Sequence, residues 1–225
     1  MLLVRDSMTR EVVTLSPRAT AAEALALCRE RRIRHLPVIE GGRLIGVVSD
    51  RDLRSATPAL GDPERASALS EIKVVDHMAR EVVTALPDDP IEQAAKRMRE
   101  EKVGCLPVMN GEGIAGILTT SDVVEAMMHL VGAYEPGSRV EVAMPESPDS
   151  LVRIAEILRA NGAKVLSVLA SPERGQPDGE RVAVFRLETI NPGGVVDELQ
   201  KAGFPVRWPP PNDSAAQTRE SGGQA

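Results

Sequence analysis

The chain has 225 residues, a formal net charge of −6 and 2% aromatic residues. That balance excludes a basic surface for duplex nucleic acid and a stacking platform for single strands. Hydrophobic residues make up 42%, enough for a core of Val, Leu, Ile, Ala and Met, and no apolar run approaches the ~20 residues of a membrane span. The N-terminal MLLVRDSM is too short an apolar run for a signal peptide. Cys28 and Cys105 have neither metal-ligand nor disulfide-framework spacing. The expectation is a cytoplasmic protein that binds neither nucleic acid nor membrane.

In chain order, Glu11 to Leu15 is β-rich and predicts a short strand. Thr20-Ala-Ala-Glu23 is a capping box, predicting a helix whose apolar face carries Ala22, Leu25, Ala26 and Cys28. A basic run from Arg29 to Arg34, interrupted by Glu30 and Ile33, suits the end of that helix. Leu36 to Ile39 and Leu44 to Val48 read as a hairpin around Gly41-Gly42, and Ser49-Asp50-Arg51-Asp52 caps a second short helix. Residues 54–73, with Pro58, Gly61 and Pro63, read as a surface connector with one helical turn.

From Val74 the pattern starts again. Residues 4–53 and 74–123 superpose at a constant offset of 70 without a gap and share eighteen identities. Asp89 is placed as a cap, with Pro90 at the first helical position and Glu92 closing the box. A hairpin follows around Asn110-Gly111, and Thr119 to Asp122 starts a helix reaching about Val131. Two copies are too few for a solenoid, but two that pair can close one domain with a ligand cleft between them.

Gly132 to Gly137 reads as a linker. Beyond it come a strand at Arg139 to Ala143 and a helix opened by Ser147-Pro148, with Leu151, Ile154, Ala155 and Leu158 on one face. Strands at Lys164 to Leu169 and Arg181 to Leu187, a helix from Asn191-Pro192 to Gly203 and a strand at Phe204 to Trp208 complete the order βαββαβ, a ferredoxin-like arrangement. The residues from 209 onward, PPPNDSAAQTRESGGQA, cannot bury a core and predict a disordered tail.

Each copy resembles a CBS motif, carried by Asp6-x-Met8, Val12-Val13-Thr14, Leu36-Pro37-Val38 and Gly46-Val47-Val48-Ser49-x-x-Asp52, and by Asp76-x-Met78, Val82-Val83-Thr84, Leu106-Pro107-Val108 and Gly116-Ile117-Leu118-Thr119-x-x-Asp122. Residues 138–208 resemble an ACT domain in element order and in Pro148-x-x-Leu151. The combination is similar to the bacterial acetoin-utilisation (AcuB) family. The expected fold class is α/β (α+β): a tandem CBS-domain pair followed by a ferredoxin-like ACT domain. The expected boundaries are 1–56 for the first CBS motif, 57–73 for the connector, 74–131 for the second motif, 138–208 for the ACT-like domain and 209–225 for the tail.

The resemblance implies a regulatory module without catalysis or a required cofactor, with an adenine nucleotide (AMP, ADP or ATP) as regulatory ligand. Ser49 with Asp52, and Thr119 with Asp122, are helix caps by spacing alone. A helix start also favours an anion, and the Asp can accept ribose hydroxyls. Val13, Thr14, Val83 and Thr84 are ordinary strand residues by pattern, and the family places that strand, with Val38 and Val108, against adenine. It also completes each site with the Ser/Thr-x-x-Asp of the other copy. Arg34, His35 and Arg51 are basic where the second copy has Gly104, Cys105 and Ser121. They are either a solvated face or, as the family implies, a phosphate clamp. The asymmetry suggests that the two sites differ.

His35, His77 and His129 have no metal spacing, and no catalytic motif occurs. The expected assembly is a homodimer, buried in part through Val123, Val124, Met127 and Met128. A rival reading is an interaction module that assembles through both domain types without a small ligand. In Glu146-Ser-Pro148-Asp149-Ser-Leu151, Asp149 stands where regulatory ACT domains carry glycine, so no free amino acid is expected to bind there.

Overall fold

The computed structural model describes residues 2–59, 62–111, 113–145, 147–172 and 180–210. The chain divides into two compact units, Met1–Ala126 and Met127–Ala225. The expected tail, apart from Pro209 and Pro210, lies outside the described residues, as does Glu146.

The first unit begins with α1 (Val4–Ser7), α2 (Ala21–Arg31), the hairpin β1 (His35–Glu40) and β2 (Arg43–Ser49), α3 (Asp50–Ser55) and α4 (Arg65–Glu71). After a 3-10 turn at Val74–Asp76, the second copy supplies α5 (Ile91–Glu100), β3 (Cys105–Asn110), β4 (Gly113–Thr119) and the start of α6 (Thr120–Leu130). The capping box at α2 forms as expected. Thr20 Oγ1 accepts the Glu23 N–H at 3.2 Å, and Glu23 Oε2 accepts the Thr20 N–H at 2.7 Å. The helix is rotated relative to the expected face. Ala21, Ala24 and Cys28 are buried, whereas Ala26 is exposed. Small residues on the inner stripe let α2 lie close against the hairpin core of Leu36, Val38 and Val48. The connector holds a seven-residue helix, α4, whose Leu69 packs on that core.

In the second copy the expected cap is displaced by one residue. Pro90 occupies the N-cap of α5, without a side-chain bond. The Asp89 carboxylate instead accepts the Leu86 N–H at 3.0 Å and pairs with Arg97 at 3.3 Å. A carboxylate with a guanidinium within reach gains more there than from a neutral N–H of the helix.

The two copies are interleaved. Leu2 O accepts the Ile91 N–H at 3.1 Å and Asp89 O the Val4 N–H at 2.9 Å; seventy residues on, Ile72 O accepts the Ala21 N–H and Ala19 O the Val74 N–H, both at 2.9 Å. Thr9 exchanges both backbone bonds with Ile117, and Ala79 does so with Val47. Leu15 then pairs with β1 of its own copy, and Ala85 with β3 of its own. Residues 10–14 and 80–84 are therefore crossing segments between copies. This is why Glu11 to Leu15 is not a full strand: only Leu15 has a ladder partner. Pro37 and Pro107 are tolerated inside β1 and β3 because their carbonyls turn away from the hairpin, towards the Leu15 and Ala85 N–H groups, and no hairpin bond needs a proline N–H.

The second unit contains β5 (Ser138–Pro145), α7 (Pro148–Ala160), β6 (Val165–Pro172), β7 (Glu180–Leu187), α8 (Gly193–Lys201) and β8 (Val206–Trp208). The sheet order is β6-β7-β5-β8, antiparallel throughout, which is the ferredoxin-like order. Ile154 and Leu158 of α7 and Val195, Val196 and Leu199 of α8 cover Val140, Val142, Ala183, Phe185 and Leu187 of the sheet. The expected face of α7 is shifted: Leu151 and Ala155 are exposed, and Ser150 faces inward with its hydroxyl donating to Pro145 O at 3.0 Å. That bond fixes the helix phase. The stretch expected as a linker is fastened down, since Ser167 Oγ donates to Val131 O and Arg186 to Glu135 O at 2.9 and 2.8 Å. Val165, Val168 and Leu169 of the edge strand β6 are 40–46% exposed.

Candidate functional site

Interleaving leaves one cavity of about 710 Å³ between the two copies in the first unit. Each end is closed by a hairpin that runs straight into a helix. At one end Asp52 Oδ2 accepts the Ser49 N–H at 3.0 Å and the Ser49 hydroxyl at 2.6 Å. At the other, Asp122 Oδ2 accepts the Thr119 N–H and hydroxyl, both at 2.7 Å. The capping roles are thus filled, and they use one carboxylate oxygen of each residue. The other oxygen, Oδ1, makes no hydrogen bond among the described residues in either copy, so each Asp can cap its helix and still accept a hydroxyl.

Of the residues singled out from the sequence, Val13, Arg34, His35, Ser49, Arg51, Asp52, Val83, Thr119 and Asp122 line this cavity. Four do not. Val38 and Val108 have no exposed surface; they sit opposite Gly46 and Gly116 inside the hairpins and pack the core. Their side chains lie in the core and not on the cavity wall, because strand alternation turns them away from it. Thr14, at the end of its crossing segment, is exposed and does not line the cavity, and Thr84 lines a smaller cavity of about 340 Å³ with Arg43 and Arg80.

The structure adds residues that the motifs alone passed over. Thr9 and Ala79 enter through their bridges to the opposite copy, and Glu11 and Glu81 through the crossing segments. Arg32 and Lys102 line the cavity from the ends of α2 and α5, both with φ of 55°. The repeat offset was the available signal, since all three pairs are seventy residues apart.

Charge is uneven across the cavity. Arg34 and Arg51 make no ion pair among the described residues, whereas Asp50 is engaged by Arg54 at 3.5 Å. Burial, and next the Arg34 charge, hold the His35 imidazole below its ordinary pKa of 6.5, against opposing pulls from Asp50 and Asp52. Burial pushes the Cys105 thiol up to about 12 and Cys28 up to about 11, so neither is a thiolate nucleophile at neutral pH. Among the described residues no group of His, Cys, Asp and Glu could hold a metal ion, and no helix is long and apolar enough to cross a membrane.

Two interleaved copies of one helix–hairpin–helix unit, closed around a shared cleft with a Ser/Thr-x-x-Asp cap at each end, define a paired-repeat domain architecture. The chain belongs to the CBS-domain family, which matches residues 4–58 and 70–129. It is 31% identical over 128 residues to the CBS domain-containing protein YhcV of Bacillus subtilis, covering 57% of this chain and 87% of that protein. It also matches a homoserine O-acetyltransferase of Methanococcoides burtonii, 35% identical over 122 residues; these are 53% of this chain and 23% of the enzyme. Among solved structures, a Vibrio cholerae protein assigned to acetoin utilization (AcuB) matches at 33% identity and a TM-score of 0.51, covering 60% of this chain and 96% of that one. CBSX2 of Arabidopsis thaliana matches at 32% identity and a TM-score of 0.52, covering 56% and 94%. A complex of CBSX2 with AMP matches at 28% and 0.50, covering 58% and 99%.

Proposed function

We propose that the protein is a non-catalytic sensor that binds adenine nucleotides, or a related adenosyl ligand, in the cleft of its first unit. The observation that carries this reading is the pair of carboxylates, Asp52 and Asp122, each held by its own capping box at one end of a single cavity with Oδ1 still able to accept. A ribose presents two adjacent hydroxyl donors, which suits such a carboxylate. The crossing segments bring Val13 and Val83 to the cavity as apolar surface for a base. The match to CBSX2, solved with AMP, supports the same ligand class.

The second unit serves as a pairing element. Its sheet edge β6 is apolar and exposed, and exposed hydrogen-bonding edges of this kind recruit a further strand. Free amino acids are not its ligands, because Asp149 places a carboxylate at the start of α7, where an amino-acid carboxylate would have to sit.

A thermal-shift screen with AMP, ADP, ATP and S-adenosylmethionine tests the reading. A true ligand at a hundred times its Kd adds about 2.7 kcal/mol to the stability of the binding unit. No shift with any adenosyl compound would leave the assembly reading in its place.

A further inference from the structure

The two ends of the cleft share a backbone frame and differ in chemistry. At the first end His35 lies opposite Ser49 in the hairpin, and Arg34 O accepts the Asp50 N–H at 2.9 Å, so both residues border the Ser49–Asp52 cap that also carries Arg51. At the second end Cys105 lies opposite Thr119, and Gly104 O accepts the Thr120 N–H at 3.2 Å. The same frame there carries Gly104, Cys105 and Ser121, with no charge among them. Arg32 and Lys102 match across the cleft and do not distinguish the ends.

Packing accompanies the difference. A Cβ on Gly104 would stand 2.7 Å from His35 Nε2 and 3.0 Å from its Cε1. The imidazole of the first copy occupies the volume that a side chain at 104 would need. A counterpart of Arg34 at the second end would first have to displace the His35 ring.

Building on the adenosyl reading above, we infer that the cleft holds two different ligands: a nucleoside 5′-phosphate with its ribose on Asp52, and an adenosyl compound without a 5′-phosphate with its ribose on Asp122. Guanidinium groups recognise phosphate oxygens through paired, charge-assisted bonds, and Arg34 and Arg51 enter the cavity without an ion-pair partner among the described residues. At the second end a phosphate would meet the Asp122 carboxylate with Lys102 as the nearby cation, and a neutral 5′ group avoids that opposition. Selectivity between the ends then arises from attraction at one and repulsion at the other.

Isothermal titration of the full chain with AMP and with adenosine decides the matter. AMP is expected to saturate one site per chain, and adenosine to bind one further site on the AMP-saturated protein. The double substitution Arg34→Gln/Arg51→Gln, at two exposed positions, should weaken AMP at least tenfold and adenosine in the AMP-saturated protein less than twofold. Asp52→Asn should abolish tight AMP binding and Asp122→Asn should leave it. Two equivalent AMP sites, equal losses for both ligands in the arginine variant, or AMP binding that follows Asp122 instead of Asp52 would each overturn the inference while leaving an adenosyl site standing. No heat with either ligand would overturn the adenosyl reading itself.

Discussion

His35 sits at the contact between the two copies, its ring against Gly104, and its pKa is held below 6.5 chiefly by burial. Above pH 6.5 the imidazole is neutral whether the chain is folded or unfolded, so the shift has no effect on stability there. As the pH falls through 6.5 the unfolded chain takes up a proton that the folded one resists, and the fold loses stability until the folded pKa is passed. Urea unfolding of the wild type between pH 7.5 and 5.5 should therefore show a falling midpoint, and His35→Gln should flatten that fall. Equal slopes would show that the acid sensitivity lies elsewhere. The same scale explains why some motif residues are shared by both copies and others are not. Asp52 and Asp122 repeat because each caps a helix in its own copy. His35 and Gly104 differ because one fills the space the other leaves.

At the scale of elements, the retained Met and Gly of each copy turn out to be one device. A Cβ on Gly46 would collide with the Met78 side chain and stand 2.9 Å from Ala79 O. A Cβ on Gly116 would collide with Met8 and stand 3.0 Å from Thr9 O. Each glycine lets the leading segment of the other copy lie directly on its hairpin, and each methionine is the flexible side chain that covers the junction. A methionine can move aside, but the carbonyl of a paired backbone cannot. Gly46→Ala and Gly116→Ala should each destabilise the first unit by about 1–3 kcal/mol, the usual cost of overpacking. Chemical denaturation should show this, with little recovery on adding Met78→Ala or Met8→Ala. Full recovery would mean that the sulfur contact, and not the strand approach, sets the constraint.

For the whole molecule the question is what covers β6. Among the described residues its outward backbone groups have no partner strand, and Val165, Val168 and Leu169 are 40–46% exposed. The helix face expected to make a dimer is only partly available, since Val123 is buried while Val124 and Met128 are exposed. A symmetric pair through β6 hides both the apolar side chains and the strand edge in one step. Light scattering at micromolar concentration is expected to give twice the chain mass, and Val168→Lys with Leu169→Lys should return it to the chain mass. A wild-type monomer, or a lysine variant that stays dimeric, would remove the edge from consideration.

The repeat, the hairpins, the capping boxes at Thr20, Ser49 and Thr119, and the βαββαβ order of the second unit were legible in the sequence, because each depends on residues within a few positions of one another or on a copied pattern. The faces of α2 and α7 and the cap of α5 were misplaced from sequence, because their phase is set by partners outside the local pattern: the hairpin core beneath α2, Pro145 O for Ser150, and Arg97 for Asp89. Nine of the thirteen candidate residues reach the cavity, and those that miss it show the same division. Val38 and Val108 look identical to ligand residues along the chain, and only strand alternation within the folded hairpin turns them into the core. The sequence by itself determined that two like halves exist and what chemistry each carries. That the halves exchange their leading segments, and so make one asymmetric cleft with His35 in the space above Gly104, was decided by tertiary packing, since no local rule brings together residues so far apart along the chain.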